Sequence, residues 1–303
     1  DLPETLPLWS RLTTTSESCL GARCPLYQSC FVTRARERAA QADVVVVNHH
    51  LYFADLALRS GEGGEGVLPE HEVVIFDEAH ALEDAAVSHF GRGVGTAQLD
   101  VLVRDAGEAV PRSDGRHTLL QAHATQVAHA VEDFARAAPT VLGLSSAGST
   151  RLLPEQRERL SPLLQQLSTA LGTLAAACRE EDAPEIVNLA RRASTLAGHL
   201  DFIGHSDSRD HVFWAQPRGR GLGLHAAPID IDHELRSRLY TRVDTVVFTS
   251  ATLATEGRFD FFARRMGLLR GDGPGLDPGV DTVLVESPFD YRRQACLYLP
   301  AHL

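Results

Sequence analysis

The sequence predicts an α/β fold that combines a parallel sheet with a long all-α segment. Two short apolar runs, Val44–Val47 and Val73–Phe76, have the length and composition of buried strands, and polar side chains follow each of them. A third run of this kind, Thr245–Thr249, comes much later in the chain. Between the second and third runs, residues 97–203 repeat Leu, Ala and Val at helical spacing. We expect functional side chains at the carboxyl ends of the strands, where open parallel sheets bind their ligands.

The strand Val73–Phe76 ends in two adjacent carboxylates, Asp77 and Glu78, and His80 follows after one small residue. An acidic pair at a strand end is suited to holding Mg²⁺ on a nucleotide and to activating water for in-line attack. The alternative is an Asp-Glu pair that only caps the next helix, predicted over Ala79–Val87. Because the apolar strand, the acid pair, the small residue and the His occur together, the pattern favours the functional interpretation.

Composition limits the classes of protein that remain. The 303 residues allow two or so domains, and a net charge of −11 does not indicate a bulk nucleic-acid binder. All 29 basic residues are Arg, which excludes a phosphate-binding loop of the form G-x-x-x-x-G-K-[ST]. The nearest approximation, Gly219–Gly223, is interpreted as a flexible loop. No apolar run approaches the ~20 residues that a membrane helix needs. The amino end lacks a secretory signal and resembles the interior of a longer protein.

Three of the five cysteines, Cys19, Cys24 and Cys30, are spaced C-x4-C-x5-C near the amino end. An odd number of thiols without an export signal argues against a disulfide framework and favours a metal. Zinc prefers closer pairs, whereas iron–sulfur clusters accept wider spacings but usually need a fourth ligand. Iron–sulfur, zinc and unligated thiols therefore stay open at this point. Cys178 and Cys296 stand among apolar neighbours and are predicted to be small buried hydrophobes.

The helix predicted over Phe31–Ala40 places Arg34 and Arg38 one turn apart. They form either a solvated face or a phosphate-contacting face. The next strand, Val44–Val47, ends in Asn48-His49-His50, and these polar side chains again indicate a functional sheet edge. A metal site on the two histidines would lack a nearby third ligand, so it is not favoured.

The segment 97–203 is predicted to be four or more helices, with breaks at prolines. The prolines concerned are Pro111, Pro139, Pro154 and Pro184. Strand character returns at Val212–Ala215 and is followed by Leu224–Ile231 and a helix through Leu239. The hydroxyls of Ser250 and Thr252 come directly after the strand Thr245–Thr249, where they could bond acidic or His side chains on a neighbouring strand.

Taken in order, these motifs resemble the DinG/XPD-like iron–sulfur helicases of superfamily 2, and in particular the DinG-like branch. The resemblance covers nearly the whole chain, tightly at the motifs and loosely in the helical segment. The matching elements are Cys19–Cys30, Val46–His49, Asp77–His80, Thr249–Leu253, Phe261–Gly267 and Ser287–Phe289.

The resemblance implies a RecA-like parallel-sheet motor domain with an iron–sulfur insertion and an all-α arch insertion. It divides the chain into a partial cluster insertion (1–42), motor domain 1 with the acid box (43–96), the arch (97–211), the rest of motor domain 1 (212–288) and the start of motor domain 2 (289–303).

The resemblance also implies a role for each matching residue. Asp77 would hold Mg²⁺, and Glu78 would orient and deprotonate the attacking water. The residues that would link the hydrolysis site to the DNA-facing side are His80, Ser250 and Thr252. Cys19, Cys24 and Cys30, with one upstream Cys, would hold a 4Fe–4S cluster. Arg34, Arg38 and Asn48 would contact DNA. The implied protein is a monomeric ATP-dependent helicase that moves 5′→3′ on single-stranded and forked DNA. It would act in DNA repair, in the cytoplasm at the nucleoid, without a membrane.

Two departures from the family pattern accompany this resemblance. The phosphate-binding loop and the fourth cluster Cys would precede Asp1, and the arginine-bearing second motor domain would continue past Leu303. The chain is therefore expected to be an internal fragment of a longer helicase. A catalytically inactive, helicase-like metal-binding or DNA-binding scaffold is the alternative, and a fused nuclease outside this window stays open.

Overall fold

The computed structural model describes residues 19–60, 66–109, 115–144, 148–179, 183–219, 221–271, 273 and 275–299. They are divided between two compact units. The first comprises the described residues of Asp1–Glu70 and Asp84–Asp230, and the second those of His71–Glu83 and Ile231–Leu303. A search of the described helices finds no segment that could span a lipid bilayer.

The helices and strands of the described residues follow the order ααβαβααβααββαβαα. The helices are α1 (Phe31–Ala40), α2 (His49–Arg59), α3 (Leu82–Phe90), α4 (Thr96–Glu108), α5 (Gly115–Leu142), α6 (Pro154–Cys178), α7 (Pro184–His205), α8 (Asp232–Arg238), α9 (Asp260–Arg265) and α10 (Tyr291–Gln294). The strands are β1 (Val73–Phe76), β2 (Arg92–Gly95), β3 (Thr150–Arg151), β4 (His211–Arg218), β5 (Gly221–Pro228) and β6 (Thr245–Phe248). Single 3₁₀ turns cover Gly21–Arg23, Tyr27–Ser29 and Ala79–Ala81.

The second unit contains the predicted parallel pairing, between β1 and β6. Side chains alternate between the two faces of a strand, so each face carries every second residue. Phe76 is buried and stacks on Phe248 with ring centroids 5.6 Å apart, whereas Val73 and Ile75 are exposed. The prediction that this run is wholly buried is therefore wrong, because a sheet covered on one face buries only alternate side chains.

The first unit contains the predicted helical segment, which is confirmed as the four helices α4–α7. Their apolar stripes face one another and form its main core. The fully buried leucines of these helices are Leu99, Leu102, Leu160, Leu164, Leu167, Leu171, Leu174 and Leu200.

Prolines mark two of the helix boundaries in this segment. Pro154 and Pro184 begin α6 and α7, where the missing backbone N–H would have had no helical partner. The predicted break at Pro139 is wrong, because α5 continues through it to Leu142. Proline removes only one backbone hydrogen bond, that from its own N to the carbonyl four residues earlier, and Pro139 does so near the end of a 28-residue helix. Pro111 lies outside the described residues.

A four-stranded antiparallel sheet in the order β2-β5-β4-β3 belongs to the same unit as these helices. The sequence predicted strand character for β4 but not this sheet. The helical unit includes β4 and β5 and ends at Asp230, whereas the resemblance places 212–288 in the motor domain. The interpretation of Gly219–Gly223 as a flexible loop is wrong for Gly221 to Gly223, which pair within β5.

The run Val44–Val47 is not a strand, although its composition predicted a buried one. No strand in the described part of the chain is hydrogen-bonded to it, and Val44 and Val46 are 79% and 91% exposed. An apolar run becomes a buried strand only when a neighbouring strand pairs with its backbone and other elements cover its side chains. Helix α2 begins shortly after this run, at His49.

The two isolated cysteines have different environments. Cys178 is buried at the end of α6, as predicted, but Cys296 is exposed. The prediction for Cys296 relied on apolar sequence neighbours, and Leu297, Tyr298 and Leu299 are themselves exposed. Apolar neighbours in sequence bury a thiol only when they are themselves packed.

Candidate functional site

The parallel pairing of β1 and β6 brings the two predicted motifs to the same end of the sheet. Phe76 lies opposite Phe248, so the acid box (Asp77–His80) leaves the sheet beside the segment that begins with Thr249. The Thr249 N–H donates to the carbonyl of Phe76 at 2.9 Å, and the Ala79 N–H donates to the carbonyl of Thr249 at 3.0 Å. These bonds extend the ladder beyond the strands and hold the two segments together.

Glu78 occupies the left-handed region of backbone conformation, with φ 50° and ψ 45°. A non-glycine residue is seldom found there, and such positions are concentrated at functional sites. The bend ends the extended course of β1, and the 3₁₀ turn Ala79–Ala81 starts immediately after it. The Glu78 N–H donates to Oδ1 of Asp77 at 3.0 Å, which fixes the orientation of the first carboxylate relative to the second.

Three side chains from the two motifs meet at this strand end. Nδ1 of His80 lies 2.8 Å from the hydroxyl of Ser250 and 3.3 Å from Oε2 of Glu78. The Ser250 hydroxyl donates to the same Glu78 oxygen at 3.4 Å. A hydroxyl carries one proton, so the contacts are compatible when protonated Nδ1 of His80 donates to Ser250, which in turn donates to Glu78. We name these three residues the strand-end triad.

Thr252 lies at the margin of the strand-end triad. Its hydroxyl is 3.5 Å from that of Ser250, and its backbone N–H donates to the Ser250 hydroxyl at 3.4 Å. Both distances are long for hydrogen bonds, so Thr252 orients Ser250 weakly. Asp77, Glu78 and His80 are exposed, which leaves their polar atoms accessible to a ligand.

The sequence patterns did not identify the contacts that support the strand-end triad. Phe248, two residues before Ser250, packs edge-on against Phe262 of α9, with ring centroids 5.4 Å apart. Arg265, also on α9, forms a two-pronged ion pair with Glu83, including a 3.0 Å bond from Nε. A phenylalanine and an arginine three residues apart on one helix were the signal available, but their partners are distant in sequence.

The predicted cluster ligands lie in the first unit, around the two amino-terminal 3₁₀ turns. Cys24 ends the first turn, and Cys30 ends the second and precedes α1. Backbone N–H groups of Thr33 and Val32 hydrogen-bond the Cys30 thiol and lower its pKa, which favours the thiolate that binds metals. Sγ of Cys19 accepts the Gly21 N–H at 3.5 Å.

These thiols fit an iron–sulfur cluster as donors, but they are not assembled as a site. Across the described ranges, no three His, Cys, Asp or Glu side chains are placed to hold one metal ion. The donor type thus agrees with the prediction, whereas the arrangement does not bring the three ligands to one point.

The residues predicted to contact DNA have two different environments. Arg34 and Arg38 are exposed on α1, as either predicted alternative requires. Asn48 is the N-cap of α2, and its side-chain oxygen accepts the Leu51 N–H at 2.8 Å. That bond occupies the acceptor of Asn48 in helix capping.

Comparison with known proteins finds similarity to DNA helicases. A family model described as DEAD_2 matches residues 16–99. Over its whole length the chain is 31% identical to the ATP-dependent DNA helicase YoaA of Haemophilus influenzae, of which it covers 46%. It is 32% identical, over 95% of its length, to the protein of the same name in Escherichia coli, covering 44% of it.

A third relative is the ATP-dependent helicase DinG of Mycobacterium tuberculosis, 32% identical over 97% of the chain and 42% of that protein. These matches, at 31–32% identity over nearly the whole chain, support the similarity to DinG-like helicases that the motifs predicted. It spans less than half the length of these curated relatives.

Proposed function

We propose that the chain is the central part of an ATP-dependent DNA helicase, a longer protein that moves 5′→3′ along single-stranded DNA. Its relatives carry that general activity in their names. In the proposal, single-stranded and forked DNA are the substrates, and the protein acts as a monomer at the nucleoid in DNA repair. The chain has no Lys, so the phosphate-binding loop of the motor would lie outside these 303 residues.

The observation that carries the proposal is the 2.8 Å contact between His80 and Ser250. It joins the acid box to the Ser-Ala-Thr segment, although 170 residues separate the two in sequence. The two adjacent carboxylates lie at the end of a parallel strand, and one of them is hydrogen-bonded to a hydroxyl of the neighbouring segment. Such an arrangement is suited to linking ATP hydrolysis to movement of that segment.

In the proposed reaction, Glu78 orients the attacking water and accepts its proton at Oε2. The same oxygen accepts a hydrogen bond from Ser250 and lies beside His80. A change in its charge or position therefore alters its contacts with both residues. His80 and Ser250, with Thr252, are positioning residues that connect Glu78 to the second motif. The left-handed backbone at Glu78 directs its carboxylate away from the extended path of β1.

Asp77 would hold the Mg²⁺ that accompanies ATP and neutralises phosphate charge. Magnesium sites in such enzymes use one or two carboxylates together with substrate phosphates and water. A single exposed carboxylate held by the Glu78 N–H agrees with that kind of site.

Cys19, Cys24 and Cys30 would hold a 4Fe–4S cluster together with one Cys from outside this chain. The support is the donor set, three thiols within twelve residues, and the thiolate-favouring position of Cys30. The exposed Arg34 and Arg38, on the helix that follows Cys30, would contact DNA phosphates. Asn48 would contribute to DNA binding indirectly, by capping and so fixing the start of α2.

The hydrolysis role is tested with Glu78→Gln in the full-length protein. The amide keeps the shape of the side chain but cannot accept a proton, so DNA-stimulated ATPase activity should fall ~10²–10⁴-fold while ATP binding is retained. Asp77→Asn should instead weaken turnover and raise the Mg²⁺ concentration required. Asp84→Asn, an exposed acid on α3, is the matched control. Near wild-type hydrolysis by Glu78→Gln would show that Glu78 does not have this role, whereas the absence of ATP hydrolysis in the wild-type protein would favour the inactive scaffold.

The cluster is tested by iron and sulfide analysis of the anaerobically purified full-length protein. We expect both elements in the wild type and their loss in Cys30→Ser, with Cys178→Ser as a control that keeps them. Stoichiometric zinc without iron would show that the thiols hold a different metal.

DNA contact through Arg34 and Arg38 is tested by replacing both residues with Gln. We expect the double variant to bind single-stranded DNA more weakly and with a shallower salt dependence.

A further inference from the structure

Two histidine rings from different helices meet in the first unit. His50 lies in the first turn of α2, and His89 in the last turn of α3. Nδ1 of His50 is 3.3 Å from Nε2 of His89, and the ring planes are inclined at 62°. The two residues are 39 positions apart in sequence, so their meeting is a product of tertiary packing.

Apolar contacts next to the rings keep the two helix ends together. Phe53, three residues after His50, packs edge-on against Phe90, with ring centroids 5.7 Å apart. Phe53 is fully buried, and Phe90 directly follows His89. The cap from Asn48 fixes the first turn of α2, where His50 lies. The histidines are therefore held near each other without a ligand.

The two rings are chemically suited to bind a cation other than a proton. Burial and the neighbouring His50 lower the pKa of His89, which keeps its imidazole neutral near pH 7. A neutral imidazole has one ring nitrogen with a free lone pair, the form that binds metals. His50 is exposed and His89 half-buried, so an ion can reach the nitrogens from solvent.

The separation of the nitrogens agrees with that of two ligands of one tetrahedral ion. Metal–nitrogen bonds of ~2.0–2.1 Å in tetrahedral geometry place two imidazole nitrogens ~3.3–3.4 Å apart. The observed separation is 3.3 Å. We propose that Nδ1 of His50 and Nε2 of His89 chelate a divalent transition metal ion of the imidazole-preferring class, Zn²⁺, Ni²⁺ or Cu²⁺.

The remaining ligands of this ion would be water. Two histidines are one ligand fewer than the three protein ligands of open zinc sites, so the ion would be held weakly and would exchange with solvent. Mg²⁺ and Ca²⁺ prefer oxygen ligands and would not compete. The bound ion would replace the proton shared by the two nitrogens and connect the start of α2 to the end of α3.

The test is a zinc titration of the chain with labelled histidine rings, followed by NMR. Each of the 14 histidines then reports separately, so zinc bound by the cysteines does not obscure the result. We expect the His50 and His89 signals to shift together, at the lowest zinc concentration of any histidine, and to saturate at one ion. Mg²⁺ should shift neither ring.

Variants test whether the two rings act as one site. In His50→Ala, the zinc concentration needed to shift the His89 signal should rise more than ~10-fold. Loss of a residue that only hydrogen-bonds to a metal ligand already lowers metal affinity by about that factor, and His50 is proposed to be a ligand itself. His50→Gln provides a second variant that preserves side-chain length at the start of α2. His123→Ala, at a half-buried histidine of α5, should change nothing. The proposal would be overturned if the His50 and His89 signals shifted independently of each other. It would also be overturned if they shifted only at zinc concentrations that shift the His123 signal as well.

Discussion

The two sheets of this protein use similar apolar residues in different surroundings. The antiparallel sheet of the first unit contributes Val94, Phe213, Leu222 and Leu224, among others, to the same core as the four helices. In the parallel pair of the second unit, β1 and β6 bury Phe76 but expose Ile75 and Val247. What differs is the number of elements that pack on each strand. Burial therefore distinguishes a strand that stabilises the unit from one whose main role is to position its end.

The difference is also visible in polar groups. In the first unit, the buried Arg157 donates to the carbonyls of Ile203 and Ser206, and it thereby satisfies the end of α7. In the second unit, Glu78 and His80 keep their polar atoms exposed at a strand end. Polar bonds of the first kind satisfy buried backbone groups, whereas those of the second kind leave the polar atoms accessible to solvent. Four substitutions test this contrast, in order of decreasing effect on stability.

The largest effect is expected for Leu171→Ala, at a fully buried position of α6. Removing a packed leucine should lower the free energy of unfolding of the first unit by ~2–5 kcal/mol, from lost burial and the cavity that remains. Urea unfolding followed by the fluorescence of Trp214 in β4 measures this. Leu119→Ala, at an exposed leucine of α5, is the matched control. Equal effects of the two would contradict the assignment of the core.

The second largest loss of stability is expected for Arg157→Met. The change leaves the carbonyls of Ile203 and Ser206 without their donor and removes the guanidinium that lies 4.1 Å from the Phe213 ring centroid. Unsatisfied buried polar groups cost ~1–3 kcal/mol. The same urea experiment applies, with the exposed Arg159→Met as control. A neutral result would show that water replaces the guanidinium at the end of α7.

A smaller effect on stability is expected in the strand-end triad. Ser250→Ala should lower the stability of the second unit by ~0.5–1.5 kcal/mol at most, the usual net worth of a hydrogen bond. Amide hydrogen exchange at Ala79 and Thr249 reports this locally. A double-mutant cycle with His80→Ala should give a coupling energy above zero, because the two side chains are in contact. Strict additivity would show that the 2.8 Å contact contributes nothing.

The smallest effect is expected for Ile75→Thr on β1, at a side chain that is 66% exposed. Threonine keeps the β-branched shape, so stability should change by less than ~0.5 kcal/mol. Phe76→Leu, one residue further on the covered face, should be clearly more damaging and serves as the comparison. A large loss in Ile75→Thr, seen in hydrogen exchange of β1 and β6, would mean that this face is covered.

Local patterns were sufficient for the features that depend on neighbours in the chain. The helical spacing of leucines predicted α4–α7, and prolines marked the starts of two of them. The apolar run before Asp77 and the one before Ser250 predicted β1 and β6 and placed both polar motifs at strand ends. These features follow from backbone periodicity and propensity, which a short stretch of sequence carries by itself.

Tertiary structure decided the features that depend on residues far apart. Val44–Val47 has the composition of a strand but pairs with no strand in the part of the chain that the structure describes. Arg92–Gly95 contains two glycines and nevertheless becomes β2, because β5 pairs with it. The meeting of His80 with Ser250, and of His50 with His89, involves residues 170 and 39 positions apart. A strand or a site of this kind is stabilised by contacts that no local pattern contains, since its partner residues are chosen only when the chain packs.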